Sequence, residues 1–177
     1  MIGNLVARNG TVADVEDLSA FLQRVWRHTY APRHGLERVE AITRRWHGKD
    51  RLRDDARDED AIFLVVEQEG KIVGHAFLQS RHGPVASLRR LYVDPDCQKC
   101  GIGGLMLGEL MTRLDETVEM MELEVDLLGR DAIAFYRSKG FVECGRTGDC
   151  GDESGIAAMI MRRSVDKRAS TSRRGAK

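Results

Sequence analysis

The apolar positions change period several times along the chain, and each change marks an element. Leu5 to Arg8 reads as a short first strand. Thr11 caps a helix, with Asp14 three residues on as a relative of the capping box. Val15, Leu18, Leu22, Val25 and Trp26 then recur at helical spacing, and Pro32 predicts that the helix ends before it. A second helix is predicted over Leu36 to Trp46. Ala61 to Gln68 and Lys71 to Gln79 are two apolar runs around the turn Glu69-Gly70, a hairpin signal. After Gly83-Pro84, Val85 to Val93 reads as another strand, which Asp94-Pro95 ends.

In the second half, a helix is predicted from Gly103 to about Thr117, with Leu107, Leu110, Met111 and Leu114 on its buried face. Met120 to Leu127 alternates strictly. Met121, Leu123, Val125 and Leu127 share one side; Glu122, Glu124 and Asp126 share the other. That predicts a strand with one apolar and one acidic face. A short helix follows from about Arg130 to Lys139 and stops at Gly140. Phe141 to Arg146 and Ile156 to Met161 read as two last strands.

Two segments lack such a pattern. Lys49 to Asp60 is almost wholly charged and reads as a solvated helix end or loop. Beyond Arg162 the chain is basic, with Arg163, Lys167, Arg168, Arg173, Arg174 and Lys177 against Asp166. It has little to bury and reads as a disordered, solubilising tail. The expected organisation is one domain over residues 1–162 and a basic tail over 163–177.

Composition narrows the function classes. A chain of 177 residues, 42% hydrophobic and 32% charged, can bury a core without disulfides or metal. Lys+Arg and Asp+Glu balance at 28 each, so whole-chain charge gives no argument for nucleic acid or membrane binding. No apolar run is long enough to span a bilayer, and the start of the chain does not read as a signal peptide. The expected location is the cytoplasm. There Cys97, Cys100, Cys144 and Cys150 would be reduced thiols. Cys97-x-x-Cys100 has the spacing of half a zinc site, but Cys144 and Cys150 are too far apart to complete it, so no metal is expected.

The candidate chemistry lies at Gln98-Lys99-Cys100-Gly101-Ile102-Gly103-Gly104, where a strand ends and a helix begins. The first amides of a helix have no intrahelical acceptor and lie at the positive end of its dipole. Such a start binds anions. Gly101, Gly103 and Gly104 let a phosphate approach that backbone, Lys99 adds positive charge, and Gln98 adds a neutral donor. The dinucleotide fold is disfavoured and the nucleotide P-loop is excluded. No G-x-G-x-x-G follows an early strand, and no Gly-Lys-Ser/Thr occurs.

Leu91-Tyr92-Val93-x-Pro95 followed by Gln98-x-x-Gly101-Ile102-Gly103 resembles the acetyl-CoA signature of the GNAT acyltransferase superfamily. A second segment, Leu123-Glu124-Val125 and then Ala132-Ile133-Ala134-Phe135-Tyr136-Arg137-Ser138-Lys139-Gly140-Phe141, resembles the strand–helix–strand part of that family. Trp26-x-x-Thr29-Tyr30 and Val73-Gly74-His75-Ala76 are also similar to it. The match covers about Leu5 to Met161.

The resemblance implies an α/β (α+β) fold: a mixed, mostly antiparallel sheet with two splayed parallel strands and helices on both faces. It implies acetyl-CoA as co-substrate. Backbone groups of Leu91, Tyr92 and Val93 would hold the pantetheine arm. Gln98, Lys99, Cys100, Gly101, Ile102, Gly103 and Gly104 would hold the pyrophosphate. It further implies an N-acetyltransferase in which a primary amine, of a small molecule or a protein, attacks the thioester directly in a ternary complex. Tyr136 would be the acid that serves the leaving thiolate; the bland reading of its helix face is a core aromatic.

The base is open. The glutamate that many relatives carry early in the strand is absent from Ser87-Leu88-Arg89. Glu124, Asp126 and His75 are the alternatives, each with a structural reading as well. Many relatives also carry an asparagine where this chain has Gly129, so cofactor contacts there fall to Arg130 or the backbone. The departures leave a second function class in view, a non-catalytic acyl-CoA sensor or scaffold. A monomer or homodimer is expected.

Overall fold

The computed structural model describes residues 4–149 and 155–165. Seven strands form one sheet in the order β1-β2-β3-β4-β5-β7-β6. They are β1 (Leu5–Asn9), β2 (Ala61–Gln68), β3 (Lys71–Gln79), β4 (Val85–Val93), β5 (Met120–Asp126), β6 (Val142–Thr147) and β7 (Ala158–Ser164). β4 and β5 pair in parallel; β1 with β2, β5 with β7 and β6 with β7 are antiparallel. The helices are α1 (Val15–His34), α2 (Leu36–Trp46), α3 (Lys49–Arg57), α4 (Ile102–Thr112) and α5 (Arg130–Ser138). This is the mixed α/β class that the resemblance implied. The chain divides into two compact units, residues 1–77 with 90–109, and residues 78–89 with 110–177.

In the first unit, Val15, Leu18, Phe21, Leu22 and Val25 of α1 and Leu52 of α3 bury against Ala61, Phe63 and Phe77. Strand alternation puts Gly74 and Val66 on the other face, where α4 lies. A Cβ at Gly74 would come within 3.0 Å of Ile102 Cγ2 and 3.2 Å of Met106 Sδ. Glycine there lets α4 seat on the sheet. The predicted cap is present: Thr11 and Asp14 make a complete capping box around a 3-10 turn that leads into α1.

Two expectations are corrected here. α1 does not stop before Pro32 but runs to His34. Pro32 lies in the last turn, and Gly35, at φ 83°, ends the helix with its N–H on the Ala31 carbonyl at 3.0 Å. The charged segment beyond residue 48 is not merely solvated. α3 buries Leu52 and Asp55, so one face of it belongs to the core.

In the second unit, β5 pairs along its whole length with β7, and β7 with β6. Val85–Leu88 of β4 pair with Met120–Leu123 of β5. α4 ends at Thr112, five residues sooner than its apolar pattern predicts. The chain tightens there, with Arg113 N–H on the Leu110 carbonyl at 3.0 Å, and Asp115 then caps Thr117. β7 continues to Ser164, so Arg163 and Ser164 are strand residues rather than tail. The tail beyond residue 165, like Cys150, lies outside the described residues.

Candidate active site

Leu91, Tyr92 and Val93 close β4, and the β4–β5 register covers only Val85–Leu88 against Met120–Leu123. The chain then turns sharply. Asp94 donates its N–H to the Val73 carbonyl at 2.9 Å, ion-pairs with Arg24, and caps a 3-10 turn through Asp96 N–H at 3.1 Å. Gln98 is extended, Lys99 sits at φ 62°, and Gly101 at φ 86°. Leu105 N–H bonds the Gly101 carbonyl at 2.9 Å and closes the first turn of α4. The N–H groups of Ile102, Gly103 and Gly104 therefore precede any intrahelical acceptor. Ile102 is buried under the sheet and anchors the helix start, while Gln98, Lys99, Cys100 and Gly101 are exposed. A built-on Cβ at Gly101 meets nothing within 4 Å, so the approach to the backbone is open. Exposed amides, a helix dipole and a lysine fit a diphosphate.

The second unit carries the other predicted residues. Tyr136 is 9% exposed, on the inner face of α5. Its ring stands edge-on to Phe141 at 5.5 Å and to Phe135 at 5.2 Å, which fixes its direction. Glu124 lies half-buried in β5. Its neighbours on that face have partners of their own. Glu122 accepts from Arg162 Nε at 2.6 Å. Asp126 is 5% exposed and accepts the Leu128 N–H at 2.9 Å. The acidic face is thus not a uniformly solvated one. Gly129 caps α5 with no side-chain bond, and an added Cβ there would meet the Asp126 carbonyl at 3.1 Å. Arg130, the first residue of α5, is exposed.

Pattern reading gave no sign of a polar cluster inside the first unit. Arg90 of β4 and Asp55 of α3 form a buried ion pair at 2.6 Å, each side chain 5% exposed. Arg90 also donates to the Trp46 carbonyl at 3.0 Å and lies over the Phe77 ring. His47 packs edge-on to Trp26 and Tyr92. Among the described residues, Trp26 Nε1, both ring nitrogens of His47, His75 Nε2 and Arg90 Nη1 are buried with no hydrogen-bond partner. His75 Nδ1 donates to the Leu64 carbonyl at 2.9 Å, and burial pulls its pKa down to about 3. Burial likewise holds His47 well below the ordinary histidine range, with the Arg90 charge adding to the effect. Both rings are neutral at pH 7, and His75 is fully enclosed.

Among the described residues no group of three or more His, Cys, Asp or Glu could hold a metal, and no helix is long and apolar enough to cross a membrane. Cys97, Cys100 and Cys144 are free thiols.

A strand that turns through glycine into the open amides of a helix, within a mixed sheet, is a frame that can hold the diphosphate of a carrier such as coenzyme A. Residues 21–141 match the model of the Acetyltransferase (GNAT) family, and the chain belongs to that family. It is an acyltransferase, and acetyl-CoA is its co-substrate. Among solved structures it is similar to a PaiA N-acetyltransferase from Thermoplasma acidophilum in complex with coenzyme A, at 22% identity, 91% of this chain, 99% of that chain and a TM-score of 0.77. It is also similar to the ribosomal-protein-S18-alanine N-acetyltransferase from Escherichia coli, at 24% identity, 92% and 95% coverage and a TM-score of 0.66. A spermidine N-acetyltransferase chimera from Vibrio cholerae shares 15% identity, with 90% and 95% coverage and a TM-score of 0.65. At these identities the likeness establishes the fold. A search of curated proteins found no match.

Proposed function

We propose that this chain is an N-acetyltransferase that moves the acetyl group of acetyl-CoA to a primary amine of a small molecule or a protein, by direct attack within a ternary complex. The observation that carries the reading is the helix start at Ile102–Gly104, whose open amides follow Lys99 and Gly101 in the exposed turn. The amides from Gln98 to Gly104 bind the pyrophosphate. Backbone groups of Leu91, Tyr92 and Val93, beyond the β4–β5 register, bind the pantetheine amides, and Arg130 supplements the cofactor contacts.

The reaction needs a proton acceptor, because an alkylamine is mostly protonated near neutral pH. We assign that role to Glu124. Glu124 is a half-buried carboxylate of β5, the strand that pairs in parallel with β4, whereas His75 is neutral and enclosed. Tyr136, fixed between Phe135 and Phe141, is the assigned acid for the departing thiolate. Neighbours of the same fold act on a protein alanine and on spermidine, which supports an amine acceptor without choosing between the two substrate classes.

Tyr136→Phe should lower kcat about 100-fold, the low end of what a positioned acid supplies. The melting shift produced by acetyl-CoA should stay as in the wild type. Thiol release across a panel of polyamines, amino acids, aminoglycosides and peptide N-termini measures the rate. An unchanged kcat would remove Tyr136 from the mechanism. Stabilisation by acetyl-CoA without turnover on any amine would instead favour a sensor.

A further inference from the structure

Cys97 and Cys100 stand within the turn assigned to the pyrophosphate, and nothing in the acyl-transfer reading uses their thiols. Their placement has its own geometry. Gln98 and Lys99 form a turn, and their angles, φ −67° and ψ 157° followed by φ 62°, resemble the central pair of a type II turn. That position favours glycine, yet lysine occupies it. The corner residues of the turn are Cys97 and Cys100. Turn corners have Cα atoms within about 7 Å of each other, and disulfides span about 4.4–6.8 Å. A turn of this kind holds the two Cα atoms within the span of a disulfide, and Cys97 Sγ, now 3.8 Å from Gln68 Oε1, would turn toward Cys100 to close it. Cys100 is exposed. Cys97 is half-buried but lines an open groove of about 500 Å³ together with Gln68, Asp94 and Asp96.

We propose that Cys97 and Cys100 form a reversible dithiol–disulfide site that controls acetyl-CoA binding, with a low-molecular-weight disulfide as oxidant. The Cys100 thiolate attacks the small disulfide, forms a mixed disulfide and releases one small thiolate. The Cys97 thiolate then attacks the Cys100 sulfur, closes the Cys97–Cys100 bond and releases the second. The two protons lost by the cysteines end on the two small thiols, and the small disulfide is reduced as the protein dithiol is oxidised. The order follows from exposure. It agrees with the Cys97 thiol being pushed up by burial and by the neighbouring Asp94. Closure ties Cys100 back toward Cys97, and Cys100 directly precedes Gly101 at the start of α4. With the turn locked by the crosslink, its amides can no longer adjust around the diphosphate. A bound diphosphate, in turn, covers Cys100 and slows its oxidation. The coupling to acetyl-CoA rests on the proposed binding role of the turn; formation of the disulfide does not.

The test uses the full chain in a Cys144→Ser/Cys150→Ser background, treated with oxidised glutathione. Thiol counting and peptide mapping should show both remaining thiols lost to a Cys97–Cys100 crosslink, reversed by dithiothreitol. Cys97→Ser should arrest as a glutathione adduct on Cys100. Acetyl-CoA should bind about tenfold more weakly to the oxidised protein, the loss expected for one or two charge-assisted amide bonds, and prior acetyl-CoA should slow the oxidation. A stable glutathione adduct with both cysteines present, no reaction at all, or a crosslink that leaves acetyl-CoA affinity unchanged would overturn the proposal. A crosslink in a protein whose reduced form binds no acetyl-CoA would sink the pyrophosphate assignment and leave the dithiol site standing.

Discussion

The first unit holds two polar sites built on opposite principles. The Gln98–Gly104 turn is made of backbone, lies at the surface, and comes from residues adjacent in sequence. The cluster of Trp26, His47, Asp55, His75 and Arg90 is made of side chains, lies in the interior, and draws on α1, the α2–α3 connection, α3, β3 and β4. The turn gains its polarity from amides that every helix start leaves open. The cluster must supply a partner for each polar group it buries, and five of its atoms have none within the described protein. A surface backbone site is thus tolerant of its surroundings, whereas a buried side-chain site depends on every member.

That contrast can be broken hardest at the ion pair. Asp55→Ala leaves the Arg90 charge buried and alone, and should destabilise the fold by about 3–5 kcal/mol in urea denaturation. The paired change Asp55→Leu/Arg90→Met should recover most of that loss, because it removes both charges. A double variant as unstable as the single one would mean that geometry, not charge, is what the pair provides.

The next effect depends on pH. His75 has a folded pKa of about 3 against an ordinary value of 6.5, and His47 is shifted in the same direction. The unfolded chain binds these protons first, so stability is full above about pH 6.5 and falls as pH drops toward the folded values. At pH 5 His75 should cost about 2 kcal/mol, and His47 acts in the same direction. His75→Gln should remove one share of that slope in denaturation curves taken at pH 7 and pH 5. A slope that the substitution leaves intact would place the titration elsewhere.

The smallest effect belongs to the turn. Gly101→Ala meets no atom but forces an L-residue to φ 86°, at about 1–2 kcal/mol. Thermal melting should show that modest loss together with a reduced acetyl-CoA shift. A normal shift would mean that Gly101 serves the turn alone.

The same contrast explains what the sequence made legible. The turn was readable because its information is local: glycines at fixed offsets, between an apolar strand and an apolar helix. The hairpin at Glu69-Gly70 and the helix stop at Gly140 were readable for the same reason, and Gly70, Gly101 and Gly140 all sit at positive φ. Asp55 was not readable. Its partner Arg90 is 35 residues away, and a charged run carries no sign of which charge turns inward. α1 passed through Pro32 because a proline in the last turn forfeits little when Gly35 still reaches the Ala31 carbonyl. The acidic face of β5 misled in part. Alternation gives the side a residue takes, but Asp126 is buried by the turn into Leu128, which alternation does not see.

The most direct test follows the backbone amides of the turn by NMR as acetyl-CoA is added. The account predicts that the largest amide shifts fall on residues 98–104, Gly103 and Gly104 among them, and that pantetheine, which lacks the diphosphate, leaves those signals in place. Saturable acetyl-CoA binding that shifts amides elsewhere and spares residues 98–104 would contradict it.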